Sequence, residues 1–224
     1  MTAREILETT DWGHLIHAYG TGADNVTDLE TLLGDAVEAM RRAVDALAGA
    51  YLHQSTIFPA TPPALAFVLA VLSHWESGAQ EYPVVPDLLA WVGEVGWSLY
   101  PYLDDVRSRT FDQGAQDRIA AALDADELDW ENQAEDLDQV LGNAGLALLQ
   151  LAPTAVKTLG PLTTDPAPGI SRAALRAALP WVIIAQDDET APVVVARLGR
   201  LPDDLPPAWL DSVVSNLKNL KAQL

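Results

Sequence analysis

Residues 50–75 read AYLHQSTIFPATPPALAFVLAVLSHW and place a polar group, His-Gln-Ser-Thr, between two apolar runs. Thr61 and Pro62 are typical of a helix start, because threonine is a good N-cap and proline fits the first helical position. The residues that follow are apolar on nearly every side, which predicts a central helix buried between neighbours. We therefore interpret the polar group as the corner between two helices, with an active site as the alternative.

Helical periodicity extends on both sides of this corner. Apolar residues recur at spacings of three and four, and the pair Gly34-Asp35 interrupts the pattern. Besides the helix that opens at Thr61, the pattern predicts helices over residues 25–33, 35–52, 85–100, 115–123, 134–151, 170–179, 191–198 and 207–220, with a loop over residues 104–114. Pro180 should end or kink the helix before it, since proline has no N–H to donate.

Two glycines, Gly93 and Gly96, fall inside the helix expected over residues 85–100. Each weakens a helix by about 1 kcal/mol relative to alanine. Close approach of a neighbouring helix would compensate for this loss. The run Trp-Val-Ile-Ile after Pro180 is strand-like in composition, but one isolated run cannot make a sheet.

About nine helices joined by short loops predict an all-α fold. We expect residues 1–224 to form a single domain. The Pro-rich segment LGPLTTDPAPGI is typical of a turn, so it marks a possible subdomain boundary near residues 160–169.

The corner and the segment DWGHLIHAYGTGADNVTDLETLLGD before it resemble a group of bacterial HEAT-repeat proteins. In that group a His-Ala-Tyr-Gly element precedes a Leu-rich helix, and His-Gln-Gly-Thr and aromatic-Pro-Ala-Thr elements precede an apolar helix. The matching positions here are His17, Ala18, Tyr19, Gly20, His53, Gln54, Thr56, Phe58, Pro59, Ala60 and Thr61. Ser55 stands where the family usually has glycine. The resemblance implies a right-handed α-solenoid of antiparallel helix pairs. It implies a binding surface and no known reaction.

The chain is strongly acidic, with 32 acidic and 13 basic residues and a formal net charge of −19. Such a chain repels phosphates, so we expect no nucleic-acid partner. Cysteine is absent, which excludes disulfides and thiolate chemistry. The beginning of the sequence is not typical of a secretory signal, and no apolar run reaches the roughly 20 residues of a membrane helix. We expect a cytoplasmic protein without a membrane partner.

Residues 122–139, ALDADELDWENQAEDLDQ, carry the densest acidic charge. A calcium loop of the EF-hand type is not supported, because the sixth position counted from Asp124 is Asp129 where that loop needs glycine. An acidic loop leading into a solvated helix face is the alternative that we favour. It would present a contact surface to a basic partner protein. The expected contact residues are Glu127, Asp129, Trp130, Glu131, Glu135 and Asp136. If Trp130 is instead buried, it would hold the loop in place rather than contact a partner.

The four histidines allow two interpretations. His14, His17 and His53 could form a three-histidine zinc site. Alternatively, His17 and Tyr19 hydrogen-bond to the corner and fix the helix crossing. We favour this second interpretation, a structural polar corner with no metal and no cofactor, formed by His17, Tyr19, His53, Gln54 and Thr56.

A second concentration of aromatic residues lies near the end of the helix expected over residues 85–100. It consists of Trp91, Trp97, Tyr100 and Tyr102. Core packing is the expected role, with a ligand groove as the alternative.

The sequence as a whole favours a non-catalytic scaffold that binds a protein partner through an acidic or concave helical surface, for example an immunity-type antitoxin against a basic toxin. A metal-dependent hydrolase using the histidines and a self-assembling structural module are the alternatives.

Overall fold

The computed structural model describes residues 1–75, 83–125, 127–129, 131–187 and 190–198. This part of the chain is mostly helical, which confirms the all-α class. The helices are α1 (Ala3–Thr9), α2 (Val26–Glu30), α3 (Val37–Ala46), α4 (Thr61–Ser73), α5 (Val85–Leu99), α6 (Leu103–Ser108), α7 (Ala115–Asp124), α8 (Ala134–Leu162), α9 (Pro168–Ile184) and α10 (Thr190–Leu198). The helix expected over residues 207–220 lies outside the described residues.

A small antiparallel hairpin lies between α1 and α2 and was not predicted. Its strands β1 (Ile16–His17) and β2 (Gly20–Thr21) pair Ile16 with Thr21 and His17 with Gly20. The turn between them is Ala18-Tyr19, so the His-Ala-Tyr-Gly element is the tip of a hairpin. Strands of two residues are too short to show an alternating pattern, which explains why the sequence did not reveal them.

Helix α4 is the central helix that its apolar sequence predicts, since nine of its 13 residues are buried. Its start differs from the expectation. The N-cap is Ala60, and Thr61 is the first helical residue. The prediction of Thr61 as the N-cap is therefore wrong, because its hydroxyl is held by Tyr51 and Phe58 instead.

Helices α5 and α9 make the closest helix contact at the two glycines. A Cβ atom on Gly93 would lie 3.1 Å from Cα of Ala177, and one on Gly96 would lie 2.8 Å from the Pro180 ring. The expected close approach of a neighbouring helix is confirmed.

Helix α9 itself continues through Pro180 to Ile184. The expectation that it ends at residue 179 is wrong, and the Trp-Val-Ile-Ile run is helical.

Four other boundaries differ from the expected ones. Helix α1 was not predicted, and α6 occupies part of the expected loop 104–114. Helix α8 continues past residue 151, through Pro153, to Leu162. Helix α3 ends at Ala46 and passes into a wider π-helical turn, Leu47–Tyr51. These differences arise where helix-breaking or polar residues are overruled by tertiary packing.

The helices pack around one main core. Helix α4 packs against α8, α5 packs against α9, and α8 and α9 pack against each other. The main core includes residues from Ala3 to Val194 and so extends across the turn between α8 and α9, near the expected boundary at residues 160–169. In the described part of the chain, no helix combines the length and the apolar character needed to cross a membrane.

Candidate functional site

A groove of about 890 Å³ opens between the polar corner, the end of α5, helix α6 and the first turns of α8. One wall of the groove is formed by Leu52 and residues 54–57. Apolar side chains, among them Leu99, Val106 and Leu141, also line it. The polar corner and the aromatic group near the end of α5 were considered separately in the sequence. The fold brings part of each to one cavity, which is lined by Gln54 and Thr56 from the corner and by Trp97 and Tyr102 from the aromatic group.

The corner wall has an unusual backbone. Gln54 and Ser55 both lie in the left-handed region, with φ of 49° and 61°. This conformation is unfavourable for residues with a Cβ atom and is the one that glycine adopts readily. Together with the π-helical turn Leu47–Tyr51, these residues direct the chain away from α3 and into the groove wall.

Beneath this wall lies a buried hinge formed by Tyr51, Phe58 and Thr61. The Thr61 hydroxyl accepts a hydrogen bond from the Phe58 N–H at 2.9 Å and donates one to the Tyr51 carbonyl. The Tyr51 hydroxyl donates to the Gly22 carbonyl at 3.2 Å, which ties the hinge to the turn after the hairpin. Burial raises the pKa of Tyr51 well above its ordinary value, so its hydroxyl remains a donor.

The residues expected to form the structural polar corner are only partly joined. Tyr19 Oη and His53 Nδ1 lie 3.1 Å apart, in a contact at the protein surface. His17 instead is buried with its ring edge-to-face on Tyr51, and its Nδ1 accepts the Tyr19 N–H at 3.2 Å. Gln54 and Thr56 line the groove.

The three histidines of the zinc alternative have separate surroundings. His14 Nε2 lies 2.9 Å from a carboxylate oxygen of Asp117 on α7. His17 packs on Tyr51, and His53 faces Tyr19. Among the described residues, no group of three or more His, Cys, Asp or Glu side chains is placed to hold a metal ion.

At one end of the groove a guanidinium is held between two carboxylates. Arg109 contacts Asp105 at 3.0 Å and Asp138 at 2.5 Å, and it lies 4.9 Å from the centre of the Phe111 ring. The hydrogen bonds that Arg109 donates to Asp138 and to Asp105 raise the pKa of its guanidinium. The Phe111 ring fits only because residue 142 is glycine, since a Cβ atom there would lie 2.0 Å from the ring.

The groove has a negative charge balance and exposed aromatic surface. Its charged lining residues are Glu94, Asp105, Asp138 and Arg109, so three carboxylates and one guanidinium leave two net negative charges. Tyr102 is 60% exposed, and the Trp97 ring lies edge-to-face against Tyr100 at 5.7 Å. This arrangement suits a cation that also offers apolar or planar surface.

The acidic segment expected to contact a partner is partly occupied by contacts within the chain. Asp136 accepts hydrogen bonds from Arg118 at 2.6 and 3.0 Å, which lower the pKa of this carboxyl. Asp129 accepts the Glu131 N–H and the Asn132 side-chain amide. Glu127, Glu131 and Glu135 are exposed, and Trp130 lies outside the described residues.

Sequence reasoning missed the charged lining of the groove. Glu94 had no distinguishing signal, and Asp138 was one acid among many. Asp105 and Arg109 stand four residues apart, a spacing that brings side chains together on a helix. That spacing could have been noticed had residues 104–114 been expected to be helical.

Comparison with known proteins identified no relative of this chain. No family model, curated protein or solved structure matches the chain.

Proposed function

We propose that this protein is a non-catalytic scaffold that binds a basic partner protein. The observation that carries the proposal is the groove, whose lining among the described residues combines three carboxylates and one cation with aromatic and apolar surface. Partner-binding surfaces combine apolar contact area with a charged rim, and this groove has both. An immunity-type antitoxin that covers a basic toxin is one form that such a scaffold could take.

We also propose that the scaffold is a HEAT-like α-solenoid. The order of contacts supports it, because α4 packs on α8 while α5 packs on α9. The contacts Gly93–Ala177 and Gly96–Pro180 advance in the same direction along both helices, so α5 and α9 run parallel. Corresponding helices of successive helix pairs in a solenoid have this relation. The chain from α6 to α7 would then be an insertion between two pairs.

The charge of the whole chain supports a basic partner. A net charge of −19 on 224 residues gives a negative field that attracts cationic proteins at long range. Exposed acids outside the groove, including Glu127, Glu131 and Glu135, would add to this attraction without making close contacts.

Affinity capture from the native cell at low and at high salt tests the proposal. We expect a basic protein to be retained at low salt and released at high salt, since screening weakens contacts between exposed charges. Binding of the purified partner should then be weakened by Glu94→Gln in the groove. Capture of no protein at either salt concentration would contradict the scaffold function. Retention of only neutral or acidic proteins would contradict the basic partner.

A further inference from the structure

We propose that the groove binds the arginine side chain of an extended segment on the partner protein. This inference rests on the proposed scaffold function and specifies which group of the partner is recognised. The ligand is defined by its chemistry, a planar cation on a flexible apolar stem.

The first argument is that the groove already holds one guanidinium. Arg109 lies between Asp105 and Asp138 and against the Phe111 ring, with its contacts at 2.5–3.0 Å and 4.9 Å. Carboxylates and an aromatic face are the surroundings that a guanidinium prefers over a lysine ammonium. The geometry of the groove is therefore suited to this group.

The second argument is that Arg109 does not balance all of the negative charge in the groove. Its single positive charge offsets one of the three lining negative charges, and the Glu94 carboxylate on α5 lines the same cavity. Glu94 and Trp97 are three residues apart on α5 and so share one helix face. A second guanidinium would find there a carboxylate and an aromatic ring, which are the kinds of group that also surround Arg109.

The third argument concerns the shape of the partner segment. The groove is also lined by Gln54 and Ser55, which are exposed and carry polar side chains. An extended segment keeps its main-chain N–H and C=O groups free for such contacts, whereas a helix satisfies its own. An anionic segment is excluded by repulsion from the carboxylates.

Three short peptides test the inference directly. They are acetyl-Gly-Arg-Gly-amide and its lysine and citrulline counterparts, and citrulline has nearly the shape of arginine without its charge. Each is titrated into the full chain labelled with ¹⁵N, and the Trp97 indole signal is assigned from Trp97→Phe. We expect the arginine peptide to shift this signal saturably, the lysine peptide to bind about fivefold more weakly, and the citrulline peptide to cause no saturable shift.

Matched variants locate the site. Glu94→Gln should weaken binding of the arginine peptide about fivefold, the size expected for one exposed ion pair. Glu8→Gln removes the same charge from an exposed position on α1, outside the groove, and should leave binding unchanged. Arg109→Gln should tighten binding, because it removes the internal cation that shares the carboxylates. Equal loss in the two glutamate variants, or weaker binding in Arg109→Gln, would overturn the inference.

The outcomes also separate this inference from the proposed function. Equal affinity for the arginine and lysine peptides, or no saturable shift with any peptide, would overturn the arginine site. If a basic partner were nevertheless captured in a salt-dependent manner, the scaffold function would stand without it. Failure of both experiments would overturn both proposals.

Discussion

Thr61 joins the two sides of the corner through a single hydroxyl group. Its side chain is fully buried and bonds both the Phe58 N–H and the Tyr51 carbonyl. Thr61→Val keeps the shape and leaves both backbone groups without a partner, so we expect the free energy of unfolding to fall by about 1–3 kcal/mol. Urea unfolding followed by circular dichroism measures the change.

Tyr19→Phe is the matched control for Thr61→Val. It removes a hydroxyl that meets His53 at the protein surface, where Tyr19 is 71% exposed. The expected change is within about 0.5 kcal/mol, as for most surface substitutions. A similarly small effect of Thr61→Val would show that the hinge does not stabilise the fold in the way described.

His17 should make the stability of the fold depend on pH. Its ring is buried, and burial lowers its pKa from the ordinary value of 6.5. Asp24 and Asn25 lie near the ring and favour the protonated form, but they offset burial only in part. As the pH falls through 6.5 the unfolded chain binds a proton that the folded chain does not. The free energy of unfolding is therefore not reduced by His17 above that pH, and it decreases as the pH falls below it.

Urea unfolding at pH 7.5 and pH 5.5 tests this dependence. We expect a lower free energy of unfolding at pH 5.5, and a smaller difference in His17→Gln, which cannot titrate. Carboxylates contribute little to the comparison, because both pH values lie above their ordinary pKa range. Equal differences in the two proteins would mean that the pKa of His17 is not lowered by folding.

The two glycines of α5 determine how closely α9 can approach. Gly96→Ala would place a methyl group 2.8 Å from the Pro180 ring, so we expect a loss of about 1–3 kcal/mol from overpacking. Gly160→Ala in α8 is the matched control, since its Cβ atom would meet nothing within 4 Å. There the higher helix propensity of alanine should raise stability by up to about 1 kcal/mol. Thermal unfolding measures both changes. The Tm should fall in Gly96→Ala and rise in Gly160→Ala, and Tm shifts of the same sign would contradict the close packing of α5 and α9.

The elements show what the sequence could and could not predict. The periodic pattern located α4 and α5, and the glycines of α5 indicated its close neighbour, because both signals are local. The end of α9 was predicted wrongly because Pro180 packs its ring into the space left by Gly96, a contact between residues far apart in sequence. The groove was missed for the same reason, since Arg109 meets Asp138 only after folding. The aromatic group and the polar corner were both recognised from the sequence. The sequence did not reveal that residues of the two groups line one cavity.

For the molecule as a whole, the net negative charge destabilises the folded state. Folding gathers 32 acidic and 13 basic residues into a smaller volume, and the resulting repulsion destabilises the folded state. Ion pairs such as Arg118 with Asp112 and Asp136 work in the opposite direction, but they are exposed, so solvent and salt screen them and each contributes little. Repulsion acts over a longer range than these contacts, so it should dominate the response to salt.

Thermal unfolding at increasing NaCl concentration tests which of the two effects is larger. Between about 10 mM and 150 mM salt the Debye length falls from about 30 Å to about 8 Å, which screens repulsion between distant acids more than contacts of 3 Å. We expect a gain of about 1 kcal/mol, which raises the Tm of a chain of this size by about 2–4 °C. KCl should act like NaCl, because the effect depends on ionic strength. A Tm that falls with salt would mean that the ion pairs outweigh the repulsion, and the acidic surface would then be more evenly neutralised than a net charge of −19 implies.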